Sequence, residues 1–221
     1  MKVITLANQK GGCGKSTAII NLAIEFASKG DRVLLIDTDP QRSSYDTLQI
    51  RKDNLVHTIV AYSNLYETLG KFEDQYEYIF IDTPPHADEV MAMAIACSDI
   101  VIMPVQDSPL DIMSTKSTVE LVRKAKELNP GLLHYFLLSR IQPRTVLAKE
   151  LVDILERNYK MGILKTPLSN RVAYKYSLIY GNSVSELRNA AQAAQEIKTL
   201  AQEIKELVKA GGLPDDSTKY R

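Results

Sequence analysis

Short apolar runs alternate with segments of helical periodicity along most of the chain. The apolar runs occupy residues 3–7, 33–36, 79–81, 99–104 and 132–138, with a weaker candidate at 55–61. Runs in which nearly every position is apolar indicate strands that are buried on both faces, as in parallel sheets. Apolar spacing typical of amphipathic helices follows at residues 16–28, 64–72 and 146–159, and the segment 104–128 continues from a strand into a long helix. The alternation predicts an α/β fold with a twisted, mainly parallel sheet of about seven or eight strands and helices on both faces.

The last fifty residues carry a different pattern. Apolar residues recur at helical spacing from 184 to 208, which predicts one long helix, or two joined, packed on the body of the protein. The final residues read GGLPDDSTKYR and are expected to form a solvated tail. With no Pro-, Gly- or Ser-rich linker before them, we predict one domain over residues 1–210 and a flexible tail over 211–221.

Composition limits which cellular compartment and which binding partners we expect for this chain. The 221 residues carry 27 Lys and Arg against 27 Asp and Glu, so no overall field draws the chain to nucleic acid or an anionic membrane, and such binding needs a local patch. Cys13 and Cys97 lack metal-binding spacing, which suits a reducing cytoplasm. The chain begins with a core strand, and no stretch reaches the roughly 18 apolar residues of a membrane span. We therefore expect a cytoplasmic protein without signal peptide or transmembrane helix.

The segment KVITLANQKGGCGKST at residues 2–17 predicts a phosphate-binding loop between a strand and a helix. Glycines without a Cβ allow positive φ and bring successive N–H groups to phosphate oxygens, and the helix that follows adds its positive dipole end. Lys15 supplies a full charge to the β and γ oxygens, and Ser16 offers a hydroxyl to Mg²⁺. The predicted nucleotide-binding residues of the loop are Lys10, Gly11, Gly12, Cys13, Gly14, Lys15, Ser16 and Thr17.

Acidic residues close two of the predicted strands. Asp37 and Asp39 follow the second strand, and Asp82 ends the run YEYIFID. Open parallel sheets bind ligands at this edge, and Mg²⁺ prefers hard oxygen ligands, so these carboxylates are candidate partners of the phosphates and the metal ion. A plainer alternative is that Asp39 only begins a turn with Pro40. His86 is a further, less favoured candidate for a catalytic base, because phosphoryl transfer depends mainly on positioning and charge.

The motifs together resemble those of a known family. Gln9 stands where the strict G-x-x-x-x-G-K-[ST] pattern begins with glycine, whereas K-G-G-x-x-K-[ST] fits with Lys10 as an added lysine. With the D-x-D-P-Q segment at 37–41 and the strand that ends at Asp82, the chain resembles the deviant Walker A ATPases of the ParA/MinD family. PVQDSPLD at 104–111 resembles the small ParF-like plasmid partition ATPases. The resemblance implies a P-loop NTPase fold, ATP and ADP as ligands, and Mg²⁺.

The same resemblance assigns roles. Lys10 would reach the partner's nucleotide across a dimer interface, and Asp39 would orient or deprotonate the attacking water. Asp37 would support Mg²⁺ and its loop, and Arg140 and Pro167 would lie against the adenine. The resemblance thus implies Lys10, Lys15 and Asp39 as catalytic residues, and Ser16, Asp37 and Asp82 at the metal.

The function that the resemblance implies is positioning of a plasmid, a chromosome or other cargo in a bacterial or archaeal cytoplasm. ATP would close a homodimer, which would bind DNA non-specifically on the nucleoid, and a ParB/ParG-like adaptor or centromere-binding protein would trigger hydrolysis. DNA contacts need clustered basic residues. The candidates are Arg171, Lys175, Lys198 and Lys205, unless Glu196, Glu203 and Glu206 make them ordinary solvated charges.

Three other functions use the same loop. A MinD-like membrane-cycling ATPase needs a basic amphipathic C-terminal helix, whereas a Gly-Gly break and an acidic tail follow the apolar helix here, so no membrane partner is expected. A reductase like the nitrogenase iron protein needs two cysteines beyond the Asp82 strand, where only Cys97 lies. A ligase like dethiobiotin synthetase stays open, since fold does not fix function.

Overall fold

The part of the chain that the structure describes contains eight strands and eight α-helices, which alternate as far as β7. The computed structural model describes residues 1–86, 88–142 and 145–211, and most of the predicted tail therefore lies outside the described residues. The strands are β1 (Lys2–Leu6), β2 (Val33–Asp37), β3 (His57–Val60), β4 (Tyr78–Asp82), β5 (Ile100–Val105), β6 (Leu133–Ile141), β7 (Gly162–Ile163) and β8 (Leu168–Ser169). The helices are α1 (Lys15–Ser28), α2 (Ser43–Gln49), α3 (Leu65–Phe72), α4 (Asp88–Ala96), α5 (Pro109–Leu128), α6 (Val146–Tyr159), α7 (Val172–Ile179) and α8 (Ala191–Ala210).

The strands form one sheet in the order β3-β2-β4-β1-β5-β6-β7, with β8 paired to β6. Every strand pairing in the described part of the chain is parallel. Asp37 pairs in register with Asp82, and Asp82 with Leu6, so the phosphate loop and the two acidic strand ends meet at one edge. The predicted α/β fold with a mainly parallel sheet of seven or eight strands is confirmed.

Helices cover both faces of the sheet. One face packs against α1, α2, α7 and α8 around a core that includes Phe26, Phe80 and Ile197, with the two phenylalanine rings edge to face at 5.2 Å. The other face packs against α3 to α6. Since side chains alternate along a strand, Asp37 and Asp82 share a face with Leu35 and Phe80, the face that α1 covers.

Two C-terminal features differ from the sequence-based expectations. After α6 the sequence predicts a short strand that ends in Thr166 and Pro167, whereas in the structure β7 ends at Ile163 and is followed by β8 and by α7, a helix that was not predicted. The expected long helix or pair from 183 is a 3-10 turn (Val184–Glu186) and then α8 alone. Ser183 and Glu186 form a capping box that begins this turn, in which the Glu186 carboxylate accepts from Ser183 N at 2.7 Å, and the turn ends because the chain is extended at Leu187. No helix in the described residues is long and apolar enough to span a membrane.

Candidate functional site

The phosphate loop connects β1 to α1 at the edge of the sheet where β2 and β4 end in aspartates. Gly12 and Gly14 have φ of 75° and 99°, and α1 begins at Lys15 directly after Gly14. A Cβ on Gly14 would lie 2.7 Å from Ser139 Oγ, so both its φ and the close approach of β6 require glycine. The free N–H groups of the first turn of α1 therefore face the same space as the loop amides.

Side chains from outside the loop hold its backbone. Asn8 Nδ2 donates to a β5 carbonyl at 2.8 Å, while its Oδ1 accepts from Lys10 N at 3.0 Å. The Gly12 carbonyl accepts from Gln106 Nε2 and from Arg140, both at 2.8 Å. These contacts attach the loop to β5, to Gln106 directly after it, and to the end of β6.

Lys15 lies across the loop. Its Nζ donates to the carbonyls of Asn8 at 2.8 Å and Lys10 at 3.1 Å, and the residue is buried. Both acceptors are neutral, so a phosphate oxygen at this place would be a stronger partner for the ammonium group.

The side chain of Lys10 binds a residue of its own chain. Its Nζ forms an ion pair with Asp111 near the start of α5, whose side chain is only 2% exposed. Gln9, at the position of the missing glycine, donates from its backbone N to Thr118 Oγ1 at 3.1 Å and contacts Ser117 with its side chain. The departure from the strict motif is therefore used to attach the loop to α5.

Asp37 organises the segment after β2. Its Oδ1 accepts from Asp39 N at 2.9 Å, and its Oδ2 accepts from Ser44 N, Ser44 Oγ and Tyr45 N at 3.0, 2.7 and 2.9 Å. Three of the four donors converge on Oδ2 and one binds Oδ1, so this carboxylate mainly holds the segment that follows β2. Asp37 supports the loop, and its role at the metal stays a prediction.

The surroundings of the Asp82 carboxylate differ from those of Asp37. Neither of its buried carboxylate oxygens has a hydrogen-bond partner in the described structure. Burial, and then the charge of Asp37, raise the pKa of Asp82 to about 7, while Ser16, Lys15 and Ser44 act more weakly in the other direction. A buried carboxylate without donors is suited to a cation.

Mg²⁺ fits this corner of the site. Asp82 offers hard oxygens beside the Ser16 hydroxyl, and Mg²⁺ is commonly held by one or two protein oxygens together with water and phosphate. Among the described residues no group of three or more His, Cys, Asp or Glu side chains could hold a metal ion alone. The residues present therefore fit a metal ion that arrives with a phosphate ligand.

Asp39 forms a turn and also lines the cavity, and its catalytic role stays a prediction. It begins a turn, because its carbonyl accepts from Arg42 N at 2.8 Å and its Oδ1 accepts from Gln41 N at 2.8 Å. The residue also lines the cavity beside the phosphate loop. Its carboxylate is thus held in a fixed place at the cavity wall.

A cavity of about 320 Å³ runs from the phosphate loop to the segment between β8 and α7. Six predicted loop residues line it, namely Gly11, Gly12, Gly14, Lys15, Ser16 and Thr17, together with Asp39 and Arg140. Lys10, Cys13, Asp37, Asp82, His86 and Pro167 are not among its lining residues. The Cys13 thiol donates to the Lys10 carbonyl at 3.3 Å, and burial raises its pKa.

The far end of the cavity includes the segment that begins at Leu168, which by the family resemblance is an adenine-side loop. Ser169 and Tyr174 line it, as do Arg171 and Lys175, which the sequence offered as DNA contacts. Of the other two DNA candidates, Lys205 pairs with Asp31 and lies 4.7 Å from the Phe26 ring, whereas Lys198 is exposed. This wall is assembled from β6, β8 and α7.

Comparison with known proteins shows the family of this chain. The family model described as "AAA domain" matches residues 1–67 and 52–134. The Maintenance of carboxysome distribution protein A of Gloeobacter kilaueensis is 30% identical over 210 residues, covering 92% of this chain and 94% of that protein. The chromosome-partitioning ATPase Soj of Thermus thermophilus is 28% identical over 236 residues, with 91% and 94% covered.

A solved structure is similar over nearly the whole chain. The putative plasmid partition protein of Borrelia burgdorferi bound to AMPPNP has a TM-score of 0.73 and 25% identity, covering 93% of this chain and 98% of its own. The matching motifs, the family model and these relatives agree with one another. The chain therefore belongs to the ParA/MinD-type family of positioning ATPases.

Proposed function

We propose that the chain hydrolyses ATP with Mg²⁺, closes into a homodimer on ATP, and binds DNA without sequence preference to segregate or position cargo with a partner protein. The observation that carries the proposal is the cavity in which Lys15, the loop glycines and Asp39 meet, with the unpaired Asp82 carboxylate close by. The AMPPNP complex of the Borrelia relative supports a nucleotide in this cavity.

The residues of the site fit water attack on a γ-phosphate. Phosphoryl transfer needs positioned reactants and stabilised charge more than covalent chemistry. Lys15 and the loop amides would stabilise the growing charge on the phosphate oxygens, and Asp39 would orient the attacking water. Ser16 and Asp82 would hold Mg²⁺, which neutralises phosphate charge when bound.

Dimerisation would require Lys10 to change its partner. Its ion pair with Asp111 lies within one chain, so a Lys10 that reaches a second protomer's phosphates must leave a nearly buried carboxylate. Phosphate oxygens carry more charge than one carboxylate and would favour the exchange. Turnover by isolated protomers is then slow, because part of the stabilising charge comes from the second copy.

The proposal also includes DNA binding and the positioning of a cargo. The relatives' names cover chromosome partitioning, plasmid partition and carboxysome distribution, and this chain would share a DNA-bound positioning cycle in the cytoplasm, on the nucleoid. Arg171 and Lys205 are engaged with acidic neighbours, whereas Lys175 and Lys198 are exposed. A MinD-like membrane cycle has less support, because the apolar face of α8 packs against the core around α1.

One set of measurements tests the proposal. Size-exclusion chromatography with light scattering should show a monomer without nucleotide and a dimer with Mg²⁺ and a non-hydrolysable ATP analogue. Phosphate release should be lost in EDTA, and anisotropy of a labelled random duplex should rise only with ATP and fall with added salt. A chain that stays monomeric with the analogue, or binds DNA equally without ATP, would contradict the corresponding part.

A further inference from the structure

The wall of the cavity opposite the phosphate loop has little support of its own. β8 contains two residues and pairs only with β6, with an irregular register between Ser139 and Ile141. Arg171 precedes α7 at its N-cap position and makes no side-chain cap. Because the phosphates would occupy the loop end, this wall faces the nucleoside end of a bound nucleotide.

Glu196 of α8 supports this wall through hydrogen bonds. Its Oε1 accepts from Ser169 Oγ at 2.6 Å and from Arg171 Nε at 3.0 Å. Its Oε2 accepts from Ser169 N at 3.1 Å and from Tyr174 OH at 2.8 Å. All three partners line the cavity, whereas Glu196 itself does not.

A charged carboxylate is needed for this arrangement. Four donors converge on two oxygens of a side chain that is only 16% exposed, and each oxygen accepts two of them. Burial and the charge of Glu196 raise the pKa of Tyr174 above its usual range, so its hydroxyl remains a donor. An amide in place of the carboxylate would present an NH₂ group to two of these donors.

We propose that Glu196 is a positioning residue that fixes Ser169, Arg171 and Tyr174 as the nucleoside-side wall of the ATP site. The inference rests on the proposed nucleotide binding and adds the residue that shapes one end of the site. α8 thereby connects the C-terminal region to the nucleotide through one side chain. The effect of Glu196 should be confined to ligands that carry a nucleoside.

Glu203 provides a matched control. It lies two turns further along α8 and accepts from Lys165 N at 2.6 Å and Thr166 N at 3.0 Å. It therefore also attaches the segment before β8 to α8, but neither of its partners lines the cavity. A purely structural role for such contacts would make the two glutamates equivalent.

The experiment titrates the full chain and its variants with ATP and with inorganic tripolyphosphate, both with Mg²⁺, by calorimetry. Glu196→Gln should weaken ATP binding by about tenfold and tripolyphosphate binding by less than about twofold. Glu203→Gln should change neither by more than about twofold. If Glu196→Gln does not fold, Ser169→Ala replaces it, with a smaller loss of about threefold again confined to ATP.

The outcomes separate this inference from the proposed function. Equal losses for ATP and tripolyphosphate, an unchanged ATP affinity, or the same ATP loss in Glu203→Gln would each overturn the role of Glu196. A wild-type chain that binds neither ligand would overturn nucleotide binding itself.

Discussion

The two ends of the cavity are built in different ways. The phosphate end comes from one continuous segment between β1 and α1, whose function depends on backbone N–H groups and on Lys15. The opposite end brings together β6, β8 and α7, and α8 holds it from behind through Glu196. The residues at the first end are neighbours in the sequence, whereas those at the second end are brought together only by tertiary packing. Changes at the first end should therefore affect every phosphate ligand strongly, and changes at the second should be smaller and selective.

Lys15→Ala gives the largest expected effect. It removes the buried ammonium group that donates to the loop carbonyls and would bind the phosphates. ATP affinity should fall by at least about a hundredfold, since a charge-assisted contact in a buried site is lost. Isothermal titration measures it, with Lys124→Ala, an exposed lysine of α5, as the control that should bind normally. Normal ATP binding by Lys15→Ala would remove the contrast between the two ends.

Asp39→Ala should separate binding from turnover. The carboxylate lines the cavity beside the loop, and its proposed partner is the attacking water rather than the nucleotide. Phosphate release should fall by about a hundredfold while ATP affinity stays within about threefold, the pattern of a group that acts in the transition state. Light scattering should then detect a dimer that persists with ATP itself. Asp46→Ala, an exposed acid of α2, is the control. Turnover that survives in Asp39→Ala would reduce Asp39 to a turn residue.

Lys10→Ala tests whether the loop serves its own protomer or a second one. We expect ATP binding within about threefold of wild type and a loss of turnover of about tenfold or more. The substitution also leaves the buried Asp111 carboxylate without its ion-pair partner, which should lower the free energy of unfolding by about 3–5 kcal/mol. Lys10→Ala with Asp111→Asn should recover most of that stability without recovering turnover. Full turnover in the double variant would show that Lys10 acts only through the fold.

The extent to which sequence predicts this site follows from the same contrast. Lys15, the glycines and the strand-end aspartates could be located because each is fixed by a neighbouring strand or helix boundary. The partner of Lys10 could not, because Asp111 lies a hundred residues away and meets the loop only after β5 has paired with β1. Likewise the sequence offered Arg171 and Lys175 as DNA contacts, and it gave no signal for α7, which begins directly after Arg171 and brings Lys175 to the cavity. The adenine contact of Pro167 stays a prediction.

Asp82→Asn and Asp37→Asn should act in opposite directions. The folded-state pKa of Asp82, about 7, is raised above the ordinary 3.8, so the folded chain binds the extra proton and loses stability as pH rises from about 4 to 7. Without Mg²⁺ at pH 8, Asp82→Asn should be more stable than wild type by up to about 4 kcal/mol, and the gain should vanish near pH 4. Asp37→Asn should be less stable, because its four donors lose a charged acceptor. Urea unfolding in EDTA across pH measures both, and equal signs would contradict the assignment.

Arg140→Ala should have the smallest effect and decides to which end Arg140 belongs. The family resemblance places it against the adenine, yet its guanidinium donates to the Gly12 carbonyl of the phosphate loop at 2.8 Å. Gln106 donates to the same carbonyl, so the loop keeps one of its two supports. We expect ATP and tripolyphosphate affinity to fall together by about threefold, as for a single partly exposed hydrogen bond. Arg157→Ala, an exposed arginine of α6, should leave both unchanged. A loss confined to ATP would instead assign Arg140 to the nucleoside end, beside the wall that Glu196 holds.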